Sequence, residues 1–537
     1  MAALLLAWLL IGTLAVPAGW WLLARADAAR TLDRVGDRAV AAAWLGLSAC
    51  ALPYAALSLA GPLLSWRSPA LAALLCVALW SRDGVRAEAR ALRAALGAQR
   101  VAVGVAALAA LAVAAHATQP VSNYDPGLYH YQHIQWLADT GVVRGLGLVH
   151  SRFGFAGSWF AWPALFDVGP MRARVPTLGG GLVMLLALWH WLLCVWRCLQ
   201  RRARPADRFA CVGLGLLLLY VIDKGWFNAT SPDAPVLVLG LLCGWTMLLA
   251  PRAANALPLW FALCALGWKL SAAPLLLVAA SHAGIRHTWR TIPWALPLAA
   301  VLVAQSFIAN GCLAYPVARS CLDVDWGVGA TMATRDAAEV LWWARWAGPP
   351  PAGADGNWWP SWLSAHDLEL GLFAVAVLAL ALRVPRWRAQ PGAADILLQA
   401  ALCIGFGMLS APDVRFFGGS LFALLGLAGF AWWPVTTTPV ASRAQPPAWT
   451  GVAAGALLVA MTIVALAHKP IAVLLLPPRI EARALTLTTN ASGLAYWRPM
   501  SGNQCWAAPL PCAPERIADT VRYRDPAAGP AGGFSAR

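Results

Sequence analysis

The chain has 537 residues, of which 60% are hydrophobic and 12% are charged, and its mean hydropathy is +0.62. This composition excludes a soluble globular protein, because no soluble domain buries so much apolar surface, and it indicates a polytopic membrane protein. The net charge of +16 does not point to nucleic acid, because no basic helix or aromatic–basic surface stands outside the apolar runs. Arginine in cytoplasmic loops is the commoner source of such a charge, and no nucleic-acid partner is expected.

Apolar runs recur along the whole chain, and several are shorter than the roughly 20 residues that a straight span needs. They lie at about 3–23, 40–60, 69–80, 101–117, 179–198, 209–222, 234–250, 256–268, 270–281, 292–309, 369–383, 395–410, 416–434 and 449–467. The predicted fold is all-α: a polytopic transmembrane helical bundle of about 12 to 14 spans, some half-length, with large external loops carrying interfacial helices. The first run has no Lys or Arg ahead of it, so we expect a retained helix, with a cleaved secretory signal as the alternative.

Arginine assigns sides to the loops, because cytoplasmic loops of membrane proteins carry an excess of Lys and Arg. The arginine-rich segments, predicted to be cytoplasmic, are 24–38, 81–100, 197–208, 282–291 and 383–388. The segments between them hold most of the acids and are predicted to be external: 61–68, 118–178, 223–233, 310–368, 411–415 and 468–537. This alternation requires 256–268 and 270–281, which Lys269 separates, to cross as two short helices.

The stretch 122–160 is the longest polar and aromatic passage in the first half of the chain, and it lies in the external loop 118–178. A loop that only joins two spans needs a few residues of any kind, so this one is predicted to be the working surface. Its chemically versatile side chains are Asp125, Tyr129, His130, His133, Arg144, His150 and Arg152.

Asp125 has two interpretations. It precedes Pro126 and Gly127, so it starts a turn and could cap an interfacial helix whose histidines, His130 and His133, face water. The buried stripe of that helix would be Leu128, Tyr131, Ile134 and Leu137. Alternatively, its carboxylate lies at the mouth of a cavity and acts as a general base. A metal site on the two histidines lacks an evident third ligand.

Three further polar positions interrupt the apolar sequence. The loop 223–233 carries Lys224 and Asp233, the latter either a ligand-binding acid or a helix cap. Lys269 stands inside an apolar run, where a lysine is costly unless it faces water or a partner, and it would suit an anionic ligand such as a phosphate. In 411–419, Arg415 either pairs with Asp413 or presents its planar guanidinium to a phosphate or carboxylate.

Four cysteines fit the predicted sides. Cys312 and Cys321 lie in the second large external loop, and Cys505 and Cys512 lie in the tail. Close pairs on an oxidising face indicate two disulfides, whereas the remaining cysteines lie mostly in apolar helices as packing residues. The Pro-rich tail is expected to be a small external cap.

These features resemble the glycosyltransferase-C superfamily of polytopic transferases that use lipid-linked sugars, over about 101–433. The phrases DPGLYHYQHIQW, GLGLVHSRFGFAGSWF, SPD, APDVRFF and QCWAAPLPC are also similar to a family of uncharacterised bacterial multi-pass membrane proteins. The resemblance implies three parts: extra helices (1–100), a core with external loops 118–178 and 310–368 (101–467), and the tail (468–537).

The resemblance also implies roles for residues. Asp125 would be catalytic, and the substrate-binding residues would be Tyr129, His130, Arg152, Lys224, Asp233, Lys269, Asp413 and Arg415. The superfamily loop usually carries two acids close together, but Asn123 occupies the first place here. That departure weakens the case for a divalent cation, and no cofactor is expected.

The sequence therefore predicts a glycosyltransferase in the bacterial inner membrane, with its active loops on the periplasmic face. It would move a sugar from a polyprenyl-phosphate donor to a glycan, lipid or protein acceptor, in contact with membrane lipids. One alternative is a transporter or flippase of a lipid-linked or anionic solute, because half-helices and a buried lysine also suit that class. Another is a polysaccharide polymerase or ligase.

Overall fold

A computed structural model describes residues 1–26, 31–121, 123–351, 353, 356–434, 448–467 and 469–536. It is mostly helical, which confirms the predicted all-α polytopic bundle. The first ten helices are α1 (Ala2–Arg25), α2 (Val35–Leu57), α3 (Arg67–Trp80), α4 (Asp83–Gly97), α5 (Arg100–His116), α6 (Tyr131–Asp139), α7 (Ala161–Phe166), α8 (Leu178–Leu199), α9 (Pro205–Asp223) and α10 (Asp233–Met247). The others are α11 (Leu257–Trp268), α12 (Ala273–Asn310), α13 (Gly329–Trp346), α14 (Trp359–Ala365), α15 (Asp367–Ala381), α16 (Val384–Arg388), α17 (Ala393–Ser410), α18 (Val414–Trp432) and α19 (Ala448–Leu466).

Many of these helices are apolar enough to cross a membrane. Among the described residues, seven helical segments have the necessary length, two bent helix pairs (α4–α5 and α14–α15) qualify together, and four shorter helices are apolar. The seven are Ala2–Arg25, Val35–Ala60, Leu178–Leu199, Pro205–Asp223, Leu270–Asn310, Ala393–Ser410 and Val414–Trp432. The short ones are Arg67–Trp80, Asp233–Met247, Leu257–Trp268 and Thr450–Leu466. Long and half-length helices therefore coexist, as the uneven apolar runs predicted.

The first two helices cross at very close range. A Cβ atom added to Gly19 would lie 1.8 Å from the carbonyl oxygen of Ala42, and one added to Gly46 would lie 1.6 Å from that of Ala15. Glycine lets two helix backbones approach where lipid provides no hydrophobic drive for association. Both helices pack into the same apolar core as α8 and α11, so the N-terminal helices are integral to the bundle.

The loops gather at two ends of the bundle in the grouping that arginine predicted. At one end, called here the loop end, segment 118–178 bonds to other predicted external segments: Leu63 N donates to Leu137 O, Asn123 Nδ2 to Gly225 O, and Asn310 Nδ2 to Gly154 O. At the other, called the arginine end, ion pairs join the arginine-rich segments: Arg34–Asp207, Arg38–Glu88, Arg204–Asp33 and Arg197–Asp37. Helix α8 connects the two ends. The orientation of these ends in the membrane stays a prediction.

The expected break at Lys269 is present. Helix α11 ends at Trp268, Lys269 has extended backbone angles (φ −156°, ψ 129°), and α12 starts at Ala273. Helix α12 continues past the predicted end at residue 281 and is kinked at Gly284, whose φ of +77° favours glycine. The two predicted short helices are thus present, but the second continues beyond the kink as a longer helical segment that ends at Asn310, so the predicted loop 282–291 is helical after Gly284.

The tail forms two small antiparallel sheets and lies against the loop 118–178. Its strands are β1 (Leu485–Thr489) paired with β2 (Ala495–Pro499), and β3 (Arg522–Tyr523) paired with β4 (Phe534–Ser535). Apolar side chains from both partners, including Trp136 and Phe153 from the loop and Tyr496 and Phe534 from the tail, form one buried cluster. The disulfides Cys312–Cys321 and Cys505–Cys512 are both formed. The tail therefore shares its core with the loop that it covers.

The crossing of α1 and α2 generates a stability prediction. Gly19→Ala should lower the free energy of unfolding by about 1 to 3 kcal/mol, because the added methyl group meets backbone that must shift. Gly12→Ala in the same helix is the control, because nothing lies within 4 Å of its added Cβ. Thermal unfolding of the purified protein in detergent measures both, and equal melting temperatures for the two variants would contradict the proposed close crossing.

Candidate functional site

Asp125 lies at the loop end, where the chain re-enters helical structure after α5. It is followed by a wide π-helical turn, Pro126–His130, and then by α6. π-helical turns are rare in proteins, and those that occur are often found at functional sites. The predicted cap is wrong: the Asp125 side chain makes no capping hydrogen bond, and its Oδ2 lies 3.5 Å from Nη1 of Arg415. The carboxylate is directed to a distant part of the chain.

Arg415 lies between two carboxylates. It is the second residue of α18, and Asp413 caps that helix by accepting a hydrogen bond of 3.0 Å from the Arg415 backbone N–H. The Arg415 Nε also lies 3.1 Å from Asp413 Oδ2, as an ion pair whose angle does not suit a hydrogen bond. The predicted pairing of Arg415 with Asp413 is therefore present, and Arg415 also pairs with a second acid, Asp125, that the sequence did not indicate as its partner.

Asp233 and Lys269 form the second half of the site. They make a direct ion pair, and Ser231 Oγ donates a hydrogen bond of 2.8 Å to the other carboxylate oxygen of Asp233. Pro232 takes the N-cap position of α10, so the cap predicted for Asp233 is wrong. The break between α11 and α12 supplies Lys269 with an extended backbone, which lets its side chain reach α10.

One aromatic ring connects the two halves. The Nζ of Lys269 lies 4.2 Å from the ring centroid of Phe416, and Cζ of Arg415 lies 5.0 Å from the same centroid. Cations are attracted to the face of an aromatic ring at such distances. We call Asp125, Asp233, Lys269, Asp413 and Arg415 the carboxylate–arginine cluster; its three acids and two bases give a formal charge of −1. Four separate segments of the chain thus meet at one point.

Three histidines, His130, His133 and His150, lie in the same loop as Asp125, and His130 is close enough to feel the charges of the cluster. His130 and His133 are only 2% and 8% exposed, so the interpretation in which they face water is wrong. Burial lowers the pKa of His130 to about 4, and burial likewise lowers the pKa values of His133 and His150 to about 3. In the described part of the chain, no three His, Cys, Asp or Glu residues are placed to hold a metal ion. The histidines are neutral, packed groups at physiological pH.

Tyr129 and Arg152 extend the site away from the cluster. Burial raises the pKa of Tyr129, and the nearby charge of Asp125 raises it further, so the phenol stays protonated. Arg152 Nη2 lies 3.1 Å from Glu339 Oε1 of α13, which ties the loop to the second large loop. Lys224 pairs with an acid that is not in the cluster: its Nζ is 3.7 Å from Glu369 Oε1, and within the described residues no ion pair joins Lys224 to the cluster.

Sequence reasoning missed several contributors. Phe416 and Ser231 stand inside the quoted phrases APDVRFF and SPD, but nothing in the sequence shows that they contact Lys269 and Asp233. Glu369, the partner of Lys224, stands in the first turn of an apolar helix, and an acid at such a position could have been recognised from the sequence as a candidate partner for a lysine. Trp506 of the tail lies against Gly127, to whose carbonyl its backbone N–H donates a 2.9 Å hydrogen bond. These contacts depend on long-range folding.

Comparison with known proteins gives one match. The model of a family described as "Domain of unknown function (DUF8201)" matches residues 1–422, which include the N-terminal helices and the whole carboxylate–arginine cluster. No curated protein and no solved structure matches the chain significantly.

The Asp233–Lys269 pair generates a stability prediction. Lys269→Met or Asp233→Asn should each lower the free energy of unfolding by about 3 kcal/mol, because each leaves one buried charge without its partner. The double variant should cost much less than the sum of the two single changes. Asp325→Asn, which breaks the more exposed pair with Arg524, is the control and should cost under about 1 kcal/mol. Additive single effects, measured by denaturant unfolding, would show that the pair does not stabilise the site.

The buried histidines generate a pH prediction. The unfolded chain takes up protons on histidine near pH 6.5, whereas folded His133 stays neutral until about pH 3. Stability should therefore fall as the pH falls below about 6.5. His133→Leu should reduce this loss, whereas Phe153→Leu, which changes a ring in contact with His133 but removes no titratable group, should not. Melting temperatures measured between pH 7 and 4.5 test this, and identical slopes for both variants would contradict it.

Proposed function

The chain belongs to the DUF8201 family, and we propose that it is a membrane glycosyltransferase. In this proposal it moves a sugar from a polyprenyl-phosphate donor to a glycan, lipid or protein acceptor. The reaction takes place at the loop end, which we assign to the periplasmic face of a bacterial inner membrane. The assignment of the face follows from the arginine bias of the opposite end.

The observation that supports this proposal is the 3.5 Å separation between Asp125 Oδ2 and Arg415 Nη1. Transfer from a sugar phosphate needs a base for the incoming hydroxyl and a cation for the departing phosphate, about one sugar-phosphate length apart at most. Asp125 suits the first role, and Arg415, assisted by Lys269, suits the second. These residues are far apart in sequence, and their meeting is not a consequence of local structure.

The proposed step balances atoms and charge. Donor phosphate takes over Nη1 of Arg415 and so frees the Asp125 carboxylate. Asp125 then accepts the proton of the acceptor hydroxyl while that oxygen bonds to the anomeric carbon. The bond from the anomeric carbon to the phosphate oxygen breaks, and its electron pair leaves with the phosphate. Protonation of Asp125 removes the cluster's net charge of −1 at the same time as the departing phosphate gains negative charge. The Arg415 and Lys269 cations can then stabilise the phosphate product.

Transport is the second candidate, and one observation favours it. The broken helix at Lys269 places an extended backbone and a lysine among apolar helices, an arrangement typical of secondary transporters. The transporter proposal expects these groups near mid-membrane. Here Lys269 instead contacts Asp233 and Phe416 at the loop end, beside Asp125. We therefore rank the transferase first.

The test is release of polyprenyl phosphate from labelled lipid-linked sugars by the purified protein. Asp125→Asn should lower turnover by about 10²- to 10⁴-fold, the usual contribution of a general base, without abolishing donor binding. Asp139→Asn is the matched control: it makes the same chemical change in the same loop, at a carboxylate that pairs with Arg172 outside the cluster.

The outcomes separate the candidate functions. Turnover that is lost in Asp125→Asn and kept in Asp139→Asn supports the proposed base. Turnover that is equal in both variants and the unmodified protein keeps the transferase and removes Asp125 from its mechanism. Absence of turnover with all donors, together with movement of a lipid-linked sugar across vesicles, favours the transporter.

A further inference from the structure

A second candidate site lies between the first loop and the tail. It is a cleft of about 380 Å³, bounded on one side by residues 117–121 and 174–177 and on the other by residues 477–483. Trp506 closes one wall. This volume is in the range of small-ligand sites, and no role proposed above uses the cleft.

The cleft is strongly basic. Arg174, Arg479 and Arg483 line it, and Glu481 is the one acid among its lining residues. Throughout the described ranges, no ion pair involves any of the three arginines. Arg174 donates a 2.5 Å hydrogen bond from Nη1 to the carbonyl of Pro477, which holds its guanidinium at the junction of the loop and the tail. Three guanidinium groups without carboxylate partners favour an anion, and their planar geometry matches phosphate oxygens.

The cleft also lies level with the ends of apolar helices. Ala117, which lines it, directly follows α5, and Gln119 donates a 2.7 Å hydrogen bond to Ala465 O near the end of α19. The segment just before the cleft exposes Ile471 (83%) and Leu475 (69%). Apolar side chains exposed beside a basic groove at helix ends are typical of a site at the membrane surface.

We infer that this cleft binds the phosphate group of a ligand at the membrane surface. The three arginines contact the phosphate, and the exposed apolar segment 471–475 contacts the chains of a lipid that carries it. The phosphate is either that of a lipid headgroup or that of a soluble phosphate ester, and the two sources share this chemistry. The inference does not rest on the proposed transferase activity.

Two charge-matched double variants test the site. Arg479→Gln/Arg483→Gln removes two exposed cleft arginines, and Arg516→Gln/Arg522→Gln removes two exposed tail arginines that do not line the cleft. The full chain is purified in dodecyl maltoside, and thermal unfolding checks that both variants are folded. The probes are dioctanoyl phosphatidylglycerol, dioctanoylglycerol without phosphate, and glycerol 3-phosphate, each measured by isothermal titration.

We expect the cleft variant to weaken phosphatidylglycerol binding about tenfold or more, because each charge-assisted hydrogen bond contributes enough for such a change. The control variant should bind as the unmodified protein does, and dioctanoylglycerol should bind weakly to all three. If glycerol 3-phosphate binds equally well and is equally sensitive to the cleft variant, the site is supported and its ligand is a soluble phosphate ester. Equal losses in both variants, or no loss in either, would overturn the inference.

Discussion

The carboxylate–arginine cluster depends on one physical constraint: a charged side chain that is largely shielded from water must have a partner. Lys269 satisfies this rule through Asp233, and Arg415 satisfies it through Asp413 and Asp125. The Lys269–Asp233 and Arg415–Asp125 pairs each join segments from different parts of the sequence, so the first holds α10 to the end of α11 and the second holds the loop to α18. A site made of ion pairs is also poised for exchange, because an anionic ligand can replace one carboxylate.

The loop and the tail are interdependent for a different reason. The loop carries apolar side chains on several faces, and α6 is buried on almost its whole circumference. The tail supplies the covering surface, and the disulfide Cys505–Cys512 closes the turn that places Trp506 against Gly127. The same docking leaves the basic cleft beside the proposed active site. The packing of the tail against the loop thus both covers the apolar side chains of the loop and forms the basic cleft.

Ion pairs join the helices at the opposite end. Arg197 contacts both Asp37 and Asp207, which joins α2, α8 and α9 at one point. Arg34 also reaches Asp207, and Arg204 pairs with Asp33. In the described part of this end, these three acids pair with three arginines, so the ion pairs have no excess of carboxylates. The contrast between the two ends is the reason for placing the proposed reaction at the loop end.

Composition and apolar spacing by themselves determined the all-α membrane fold, because a chain this apolar has few other ways to satisfy its backbone. Arginine bias grouped the loops, and the isolated lysine marked the helix break. The sequence also named Asp125, Asp233, Lys269, Asp413 and Arg415. Only the tertiary structure decided their pairing, because the carboxylate of Asp125 could cap its own helix or reach Arg415 with similar local chemistry. Likewise, exposure of His130 and His133 was a local expectation, whereas their burial required the loop to fold back so that Phe153 and Phe160 pack against their rings.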